Sequence, residues 1–420
     1  MLGYGGGFGL TTDAVLGVKN RDMAIVYTFL ISTYLVLKKE YRFPKARFMW
    51  WYKLFLCFLV CSIVFSYLYY EFSLYQILQG GRSFLLVFSL PILYRIKMQE
   101  LSRLMSLLLW VTIITSVLYI LQIVLGQPLM PYNGKPSIDK TVGLIRMYNS
   151  PALLEFFLAL TFVVPRYFGK RVNILRIVFF VALICTFGRT GIFSTVMVVL
   201  LSVLFLGKAT KLLKTVVIIG ILFVPFMGII SDRFEKGGTE DDISVLRSGG
   251  YEDFSSDEGG TMTYRIAWVY ERFYYLIHRP IGEQIFGLGL ISDSQPLVTK
   301  KYNFRIGLID SETGIPVQLS TPDIAYGNLL TKLGFGGGAI YLCFLISLAI
   351  FLYKNRKANA LTIVCAAQII MLFVLSMSGS MLSESKNLTM YFIAIATIFQ
   401  HYSKYNYSKQ KDVILYQQIK

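Results

Sequence analysis

Residues 104–126 read LMSLLLWVTIITSVLYILQIVLG, 23 consecutive positions without a charge. A bilayer's hydrocarbon core is roughly 30 Å thick, and about 20 helical residues cross it. Residues 333–353 and 358–383 add uncharged runs of 21 and 26 positions. In these runs the apolar residues are continuous and form no amphipathic stripe. Lipid leaves no water to satisfy backbone polar groups, so such runs must be helices. Working outward, eleven spans are expected: 23–37, 54–70, 83–94, 104–126, 147–165, 172–188, 190–207, 215–230, 324–353, 361–379 and 387–401. The whole chain is 55% hydrophobic and 15% charged, which excludes disorder and is unusual for a soluble enzyme.

The charge pattern orients these spans. Alternate short loops and the C-terminal tail hold 23 of the 41 basic residues, and the opposite short loops with the N-terminus hold eight. Lys and Arg favour the cytoplasmic side, which places the richer set and the C-terminus inside. The net charge of +17 thus follows topology, and nucleic acid is not an expected partner. An odd span count puts the N-terminus outside, although residues 1–18 are Gly-rich and lack a basic leader. They either complete a twelfth span or fold back into the interface. The five cysteines, Cys57, Cys61, Cys185, Cys343 and Cys365, lie in apolar runs without metal spacing and read as packing residues.

One polar segment interrupts the apolar chain. Residues 231–323 hold 15 of the 24 acidic residues and 9 of the basic ones, a net 9 − 15 = −6, and the alternation places them outside. Three units follow: an N-terminal transmembrane bundle over 1–230, the large extracytoplasmic loop over 231–323, and C-terminal spans with a basic cytoplasmic tail over 324–420. The fold class expected is all-α, a polytopic membrane helix bundle of about 11–12 transmembrane helices whose outer loop contains a short helix. Within the loop, 235–260 is Gly-, Ser- and acid-rich. Residues 261–279 read as a helix stopped by Pro280, and 281–323 read as irregular.

Arg265, Arg272 and Arg279 recur every seven residues, nearly two helical turns, so they share a stripe, with Trp268 beside the first two. An arginine stripe near headgroups suits phosphate, whose oxygens the planar guanidinium binds bidentately. A solvated or headgroup-facing stripe reads the same way. Arg189 sits in Cys185-Thr-Phe-Gly-Arg-Thr-Gly191, inside an apolar stretch over 172–207 that is too long for one crossing. A turn marked by Gly188 and Gly191 would hold Arg189 at the outer surface, facing either a ligand or lipid headgroups. Arg82 and Arg146 also fall at the outer face, so four arginines from separated segments would converge on a polyanionic ligand. Asp323, where the ninth span starts, is either a helix cap or a proton acceptor. His278 is a second possible base, and Glu155 a further acid. No metal site is expected: there is no DxD triplet, and the loop acids Asp241, Asp242, Asp257 and Glu258 lie in flexible sequence. No Walker loop or GxSxG elbow is present.

These residues carry a resemblance. The chain is similar to the O-antigen and capsular polysaccharide repeat-unit polymerases (Wzy-like), which are related to the O-antigen ligases. Phe187-Gly-Arg-Thr-Gly191 resembles their arginine turn. Tyr264-Arg-Ile-Ala-Trp268, His278-Arg-Pro280 and Gly287-Leu-Gly289 resemble the run through their loop. Asp323-Ile-Ala-Tyr326, Leu330 and Gly334-Phe-Gly336 resemble the segment that closes it. Ligases usually carry His-Asn where this chain has Asp323-Ile324, so the likeness leans toward polymerase.

The resemblance implies a metal-independent, cofactor-free glycosyltransferase. It would join undecaprenyl-pyrophosphate-linked oligosaccharides into lipopolysaccharide O-antigen or capsule at the outer face of the cytoplasmic membrane. Arg189 and Arg265 would hold the pyrophosphate and Asp323 the acceptor hydroxyl. Arg82, Arg146, Arg272, Arg279, His278 and Trp268 would bind substrate. A chain-length regulator and a flippase of the same pathway would be its partners. A ligase shares this architecture with another acceptor. A flippase is the rival from a different class, although no internal repeat pairs the two halves.

Overall fold

In a computed structural model, the structure describes residues 14–15, 18–131, 137–138, 145–147, 150–207, 209–223, 261–293, 295–307, 316–321, 323–377, 379, 381–383 and 388–400. Apart from two pairs of two-residue strands, the regular structure there is all helical. The described α-helices begin with α1 (Asn20–Leu37), α2 (Met49–Leu68), α3 (Leu74–Leu85), α4 (Leu90–Leu93), α5 (Met98–Leu125), α6 (Leu154–Val163), α7 (Pro165–Phe168), α8 (Val172–Ile184), α9 (Arg189–Phe205) and α10 (Ala209–Phe223). After the gap come α11 (Thr261–Ile277), α12 (Ile281–Phe286), α13 (Pro296–Lys301), α14 (Ala325–Lys354), α15 (Ala360–Leu375) and an apolar helix over Leu388–Gln400. Each expected span overlaps a helix over at least part of its length, and 224–230 of the span expected at 215–230 lie outside the described residues. Among the described residues, four helical stretches are long and apolar enough to cross a membrane: Met49–Leu68, Leu74–Leu93, Met98–Leu125 and Ala325–Lys354.

The boundaries differ from expectation in instructive places. The span expected at 83–94 starts at Leu74. Ser73 caps the helix by accepting from the Gln76 amide at 3.3 Å, while the Gln76 side chain accepts from the Ser73 amide at 2.9 Å. This Ser-x-x-Gln capping box was readable in the sequence. A 3-10 turn over Leu86–Ser89 and the short α4 continue it to Leu93. The span expected at 147–165 is helical only over Leu154–Val163, entered from Leu153 at φ 63°. Its last turn is capped by neighbours: Arg176 Nη2 donates to Thr161 O at 2.8 Å and Lys211 Nζ to Val163 O at 2.8 Å. Cations suit the negative end of a helix dipole and its unpaired carbonyls.

Helix α5 has an inverted amphipathicity. Thr112, Thr115, Ser116 and Gln122 are buried, and the three hydroxyls donate to carbonyls one turn back. The outward face is Leu107, Trp110, Ile114, Val117, Leu121 and Val124, alternating steps of three and four, with Trp110 56% exposed. A continuous apolar stripe of that kind is costly in water and suits lipid.

The core gathers on α14, which packs against α15, α2, α12 and α11. Phe55, Phe84, Tyr341 and Phe344 are buried there, Phe55 stacking parallel to Phe344 at 6.3 Å. At Gly334 (φ 64°, ψ −171°) α14 kinks. Gly287 (φ 75°) lies against the kink, where an added Cβ would sit 2.6 Å from the Thr331 carbonyl oxygen. Only glycine fits both the conformation and the approach.

Candidate functional site

The site is built where α11 and the chain before α14 meet. Helix α11 buries Tyr264, Trp268, Arg272 and Leu276, a strict four-residue stripe, with Ala267 beside it. The Trp268 indole lies against Gly327 of α14, where a Cβ would come within 2.8 Å of its ring. The helix ends at Ile277, two residues short of the expected Arg279, so the three arginines meet different surroundings.

Arg272 is fully buried and its donors are taken up by the protein. Its Nε and Nη2 donate to Gln318 O at 3.2 and 3.1 Å, and its Nη1 donates to Glu271 Oε2 at 2.7 Å. Its guanidinium carbon is 4.1 Å from the Trp268 ring centroid and 4.5 Å from that of Phe304. Burial pulls the guanidinium down to about 10, opposed by Glu271, which leaves it charged at neutral pH. Arg279 lies in the turn after α11 and forms a two-pronged pair with Glu283, Nε–Oε2 2.9 Å and Nη2–Oε1 3.3 Å. The Glu283 hydrogen bond raises the Arg279 guanidinium above its usual value. Tyr69 donates to the same carboxylate at 3.0 Å. His278 is exposed, 4.4 Å from the Tyr274 ring, with Nδ1 2.8 Å from Tyr274 O. Trp268 Nε1 is buried without a hydrogen-bond partner among the described residues.

Arg265 is placed differently. Its Nη2 lies 3.9 Å from Asp323 Oδ1, too long for a hydrogen bond, with side-chain exposures of 16% and 32%. Its Nε is buried and has no hydrogen-bond partner among the described residues. Asp323 caps nothing with its side chain: Ile324 occupies the N-cap position of α14, with no side-chain cap bond. Its backbone amide donates to Thr321 Oγ1 at 3.2 Å.

Asp323 is carried by a strap over 316–323 whose described residues are pinned along its length. Asp293 Oδ1 accepts from the Gln318 and Leu319 amides at 3.0 and 2.7 Å, and its Oδ2 accepts from the Ser320 hydroxyl. The Gln318 side chain bridges Phe304 N (2.6 Å) and Pro316 O (2.6 Å). Thr331 Oγ1 donates to Leu319 O at 2.7 Å. Asn328 clasps Thr321 from both sides, accepting from its amide at 2.8 Å and donating to its carbonyl at 2.7 Å. Arg272, Asp293, Gln318 and Asn328 together set where Asp323 meets Arg265. The stretch expected to be irregular thus contains α12, α13 and this strap.

The remaining expected residues fall elsewhere. Arg82 lies on α3 with Nη1 3.9 Å from Asp22 Oδ1. Arg189 is the first residue of α9, after a turn at Cys185–Gly188 in which Phe187 takes φ 50°. Gly191 is inside the helix, not part of that turn. Arg146 is in a strand paired with Ser137. The side chains of Arg189 and Arg146 lie outside the described residues, as do Asp241, Asp242, Asp257 and Glu258. Glu155, on α6, accepts from Ser194 Oγ at 3.3 Å. Among the described residues no cluster of His, Cys, Asp and Glu is arranged to hold a metal.

Sequence reasoning missed Lys332. It is on α14 beside Thr331, with Asp293 and Arg82 as its charged neighbours. Its position inside the expected span at 324–353 was the available signal, since a charge within a span is costly. No protein-family model matches the chain, and no curated protein sequence matches it.

Proposed function

We propose that this chain is a polysaccharide polymerase joining polyprenyl-diphosphate-linked repeat units at the outer face of the cytoplasmic membrane. The observation that carries the reading is the approach of Arg265 and Asp323 to 3.9 Å from opposite ends of a folded segment. An under-coordinated guanidinium beside a carboxylate suits a transfer in which negative charge develops on a leaving diphosphate while a hydroxyl loses its proton. The acceptor hydroxyl oxygen bonds to the anomeric carbon as the bond from that carbon to the phosphate oxygen breaks. The electron pair leaves on the diphosphate, facing Arg265, and the hydroxyl proton passes to Asp323. Arg189 is a second cation for the leaving group. The strap through Arg272, Asp293 and Asn328 fixes the carboxylate before substrate arrives, which supports preorganised chemistry.

The charge pattern supports an eleven- or twelve-span chain with 231–323 outside and the C-terminus inside. Asp323 in place of a ligase's histidine favours polymerase over ligase. A surface-polysaccharide gel from a deletion strain tests the assignment. A polymerase leaves one repeat unit on the acceptor. A ligase leaves long lipid-linked chains unattached, and a flippase leaves units on the inner leaflet; either pattern overturns the reading.

A further inference from the structure

Helix α12 and the chain after it reach deep along α2. Helix α2, Met49–Leu68, is one of the four stretches long and apolar enough to cross a membrane, and Phe58 is near its middle. The Phe286 ring at the end of α12 stacks on Phe58 at 5.1 Å and on Phe65 at 4.8 Å. A ring between those two positions lies about 10 Å short of the end of α2. The chain descends to that level and returns. On the way in, Glu283 accepts from Tyr69, the residue after α2, at 3.0 Å. On the way out, the Leu290 amide donates to Ser66 Oγ at 3.1 Å, and Gly289 lies against the rings of Tyr70 and Phe72.

Backbone at such a depth must find its partners in protein, because lipid supplies none. The Gly287 amide donates to Glu283 O at 2.8 Å, and its carbonyl accepts from Tyr70 Oη at 2.8 Å. The Leu288 amide donates to Thr331 O at 2.7 Å, and its carbonyl accepts from Tyr302 Oη at 2.8 Å. Polar side chains of α12 turn inward as well. Glu283 is buried against Arg279, and Gln284 donates to the Ile277 and Arg279 carbonyls.

The face left outward is apolar. Ile281 is 75% exposed and Ile285 40%, one turn apart. Exposed Tyr274 and Ile277 precede them at the end of α11. On α2, the outward Leu54 and Cys61 lie one turn before Phe58 and Phe65. The open face of α12 therefore borders the outward apolar stripe of a helix fit to cross a membrane, and a contiguous patch of that kind suits lipid.

We propose that residues 281–291 are a re-entrant insertion into the leaflet at the C-terminal end of α2, with the acyl chains of that leaflet as the partner of Ile281 and Ile285. The segment enters and leaves on one side, so it adds no crossing. Helix α11 then lies along the interface, with Tyr270 and Tyr274 at headgroup level, where amphipathic rings are favoured. The inference needs neither the polymerase reading nor an assignment of that side.

The test places the photoreactive residue p-benzoylphenylalanine at Ile281 or at Ile285 of the full chain in phosphatidylcholine liposomes, with adducts mapped by mass spectrometry. Leu121, on the outward stripe of α5, is the lipid reference, and the exposed Asn303 is the water reference. Both isoleucine positions should give adducts on acyl-chain carbons, at a yield near that of Leu121 and several-fold above that of Asn303. Hydroxyl-radical footprinting of the unaltered chain in the same liposomes guards against misfolded variants: Ile281 and Ile285 should escape oxidation. Lipid adducts no more frequent than at Asn303, or ready oxidation of the two isoleucines, overturn the proposal. So do adducts confined to the choline headgroup, which would lay the segment on the surface, and cross-linked dimers, which would make a second copy its cover.

Discussion

Arg265 and Arg272 lie on the same helix face, yet only one is open to a ligand. Arg272 is enclosed by the strap, two aromatic rings and Glu271. Arg272→Ala should leave the Gln318 carbonyl without its side-chain donors and take the cation from Glu271, which keeps only the Arg305 and Ile306 amides, costing about 3–5 kcal/mol. Thermal unfolding in detergent should drop markedly, and limited proteolysis should open the segment after α11. Arg265→Ala should leave the melting temperature within a few degrees while abolishing chain elongation on a polysaccharide gel. Arg265→Lys should not restore it, because lysine lacks the fork. Asp323→Asn should slow transfer by about 10²-fold or more if the carboxylate takes the proton, read as polymer formed per unit time by protein of wild-type abundance. Arg265 was legible as a candidate from its seven-residue spacing with Arg272 and Arg279, and Asp323 from its place where the apolar run of the ninth span starts. Their meeting was not, since 265 and 323 are joined only through the strap.

At the scale of elements, the junction of α12 with α14 depends on two glycines in contact. Gly287 and Gly334 both hold positive φ, and each would drive a Cβ into the other's backbone. Gly334→Ala and Gly287→Ala should therefore each destabilise the protein by more than the roughly 1 kcal/mol typical of a strained left-handed position. Circular-dichroism melts of the two variants check this, while Gly191→Ala, in an open helical position, serves as the mild comparison. The GLGL and GFG stretches stood out in sequence, but nothing local says that they touch. The capping box at Ser73 was a local signal and lay within reach of sequence reading. The break at Leu153 and the turn at Phe187 were not, because a non-glycine at positive φ is held by surrounding packing.

For the whole molecule, the outward stripe of α5 and the inward placement of its hydroxyls describe a solvent of hydrocarbon. Leu121→Arg should cost about 2.5–3.5 kcal/mol of insertion if that face meets lipid, seen as lost membrane yield. Thr115→Ala, which removes only a hydroxyl bonded within its own helix, should be nearly silent. Cysteines placed at His278 and at Lys357 should react with an impermeant maleimide from opposite sides of the membrane, with the His278 position labelled in intact cells or spheroplasts. Labelling of both from one side would remove the topology on which the proposed function depends.

Hydrophobic runs specify helices and their approximate ends, because burial in lipid acts on short stretches of chain independent of what they later touch. Local rules also single out Arg189 as a charge in a costly place, Arg265 by its helical spacing and Asp323 by its place at a helix start. Long-range packing decides the rest. It encloses Arg272, turns Arg279 toward Glu283, and threads the strap along α14 until Asp323 faces Arg265. Those outcomes depend on hydrogen bonds and close contacts between residues far apart in sequence, whose partners no local pattern encodes.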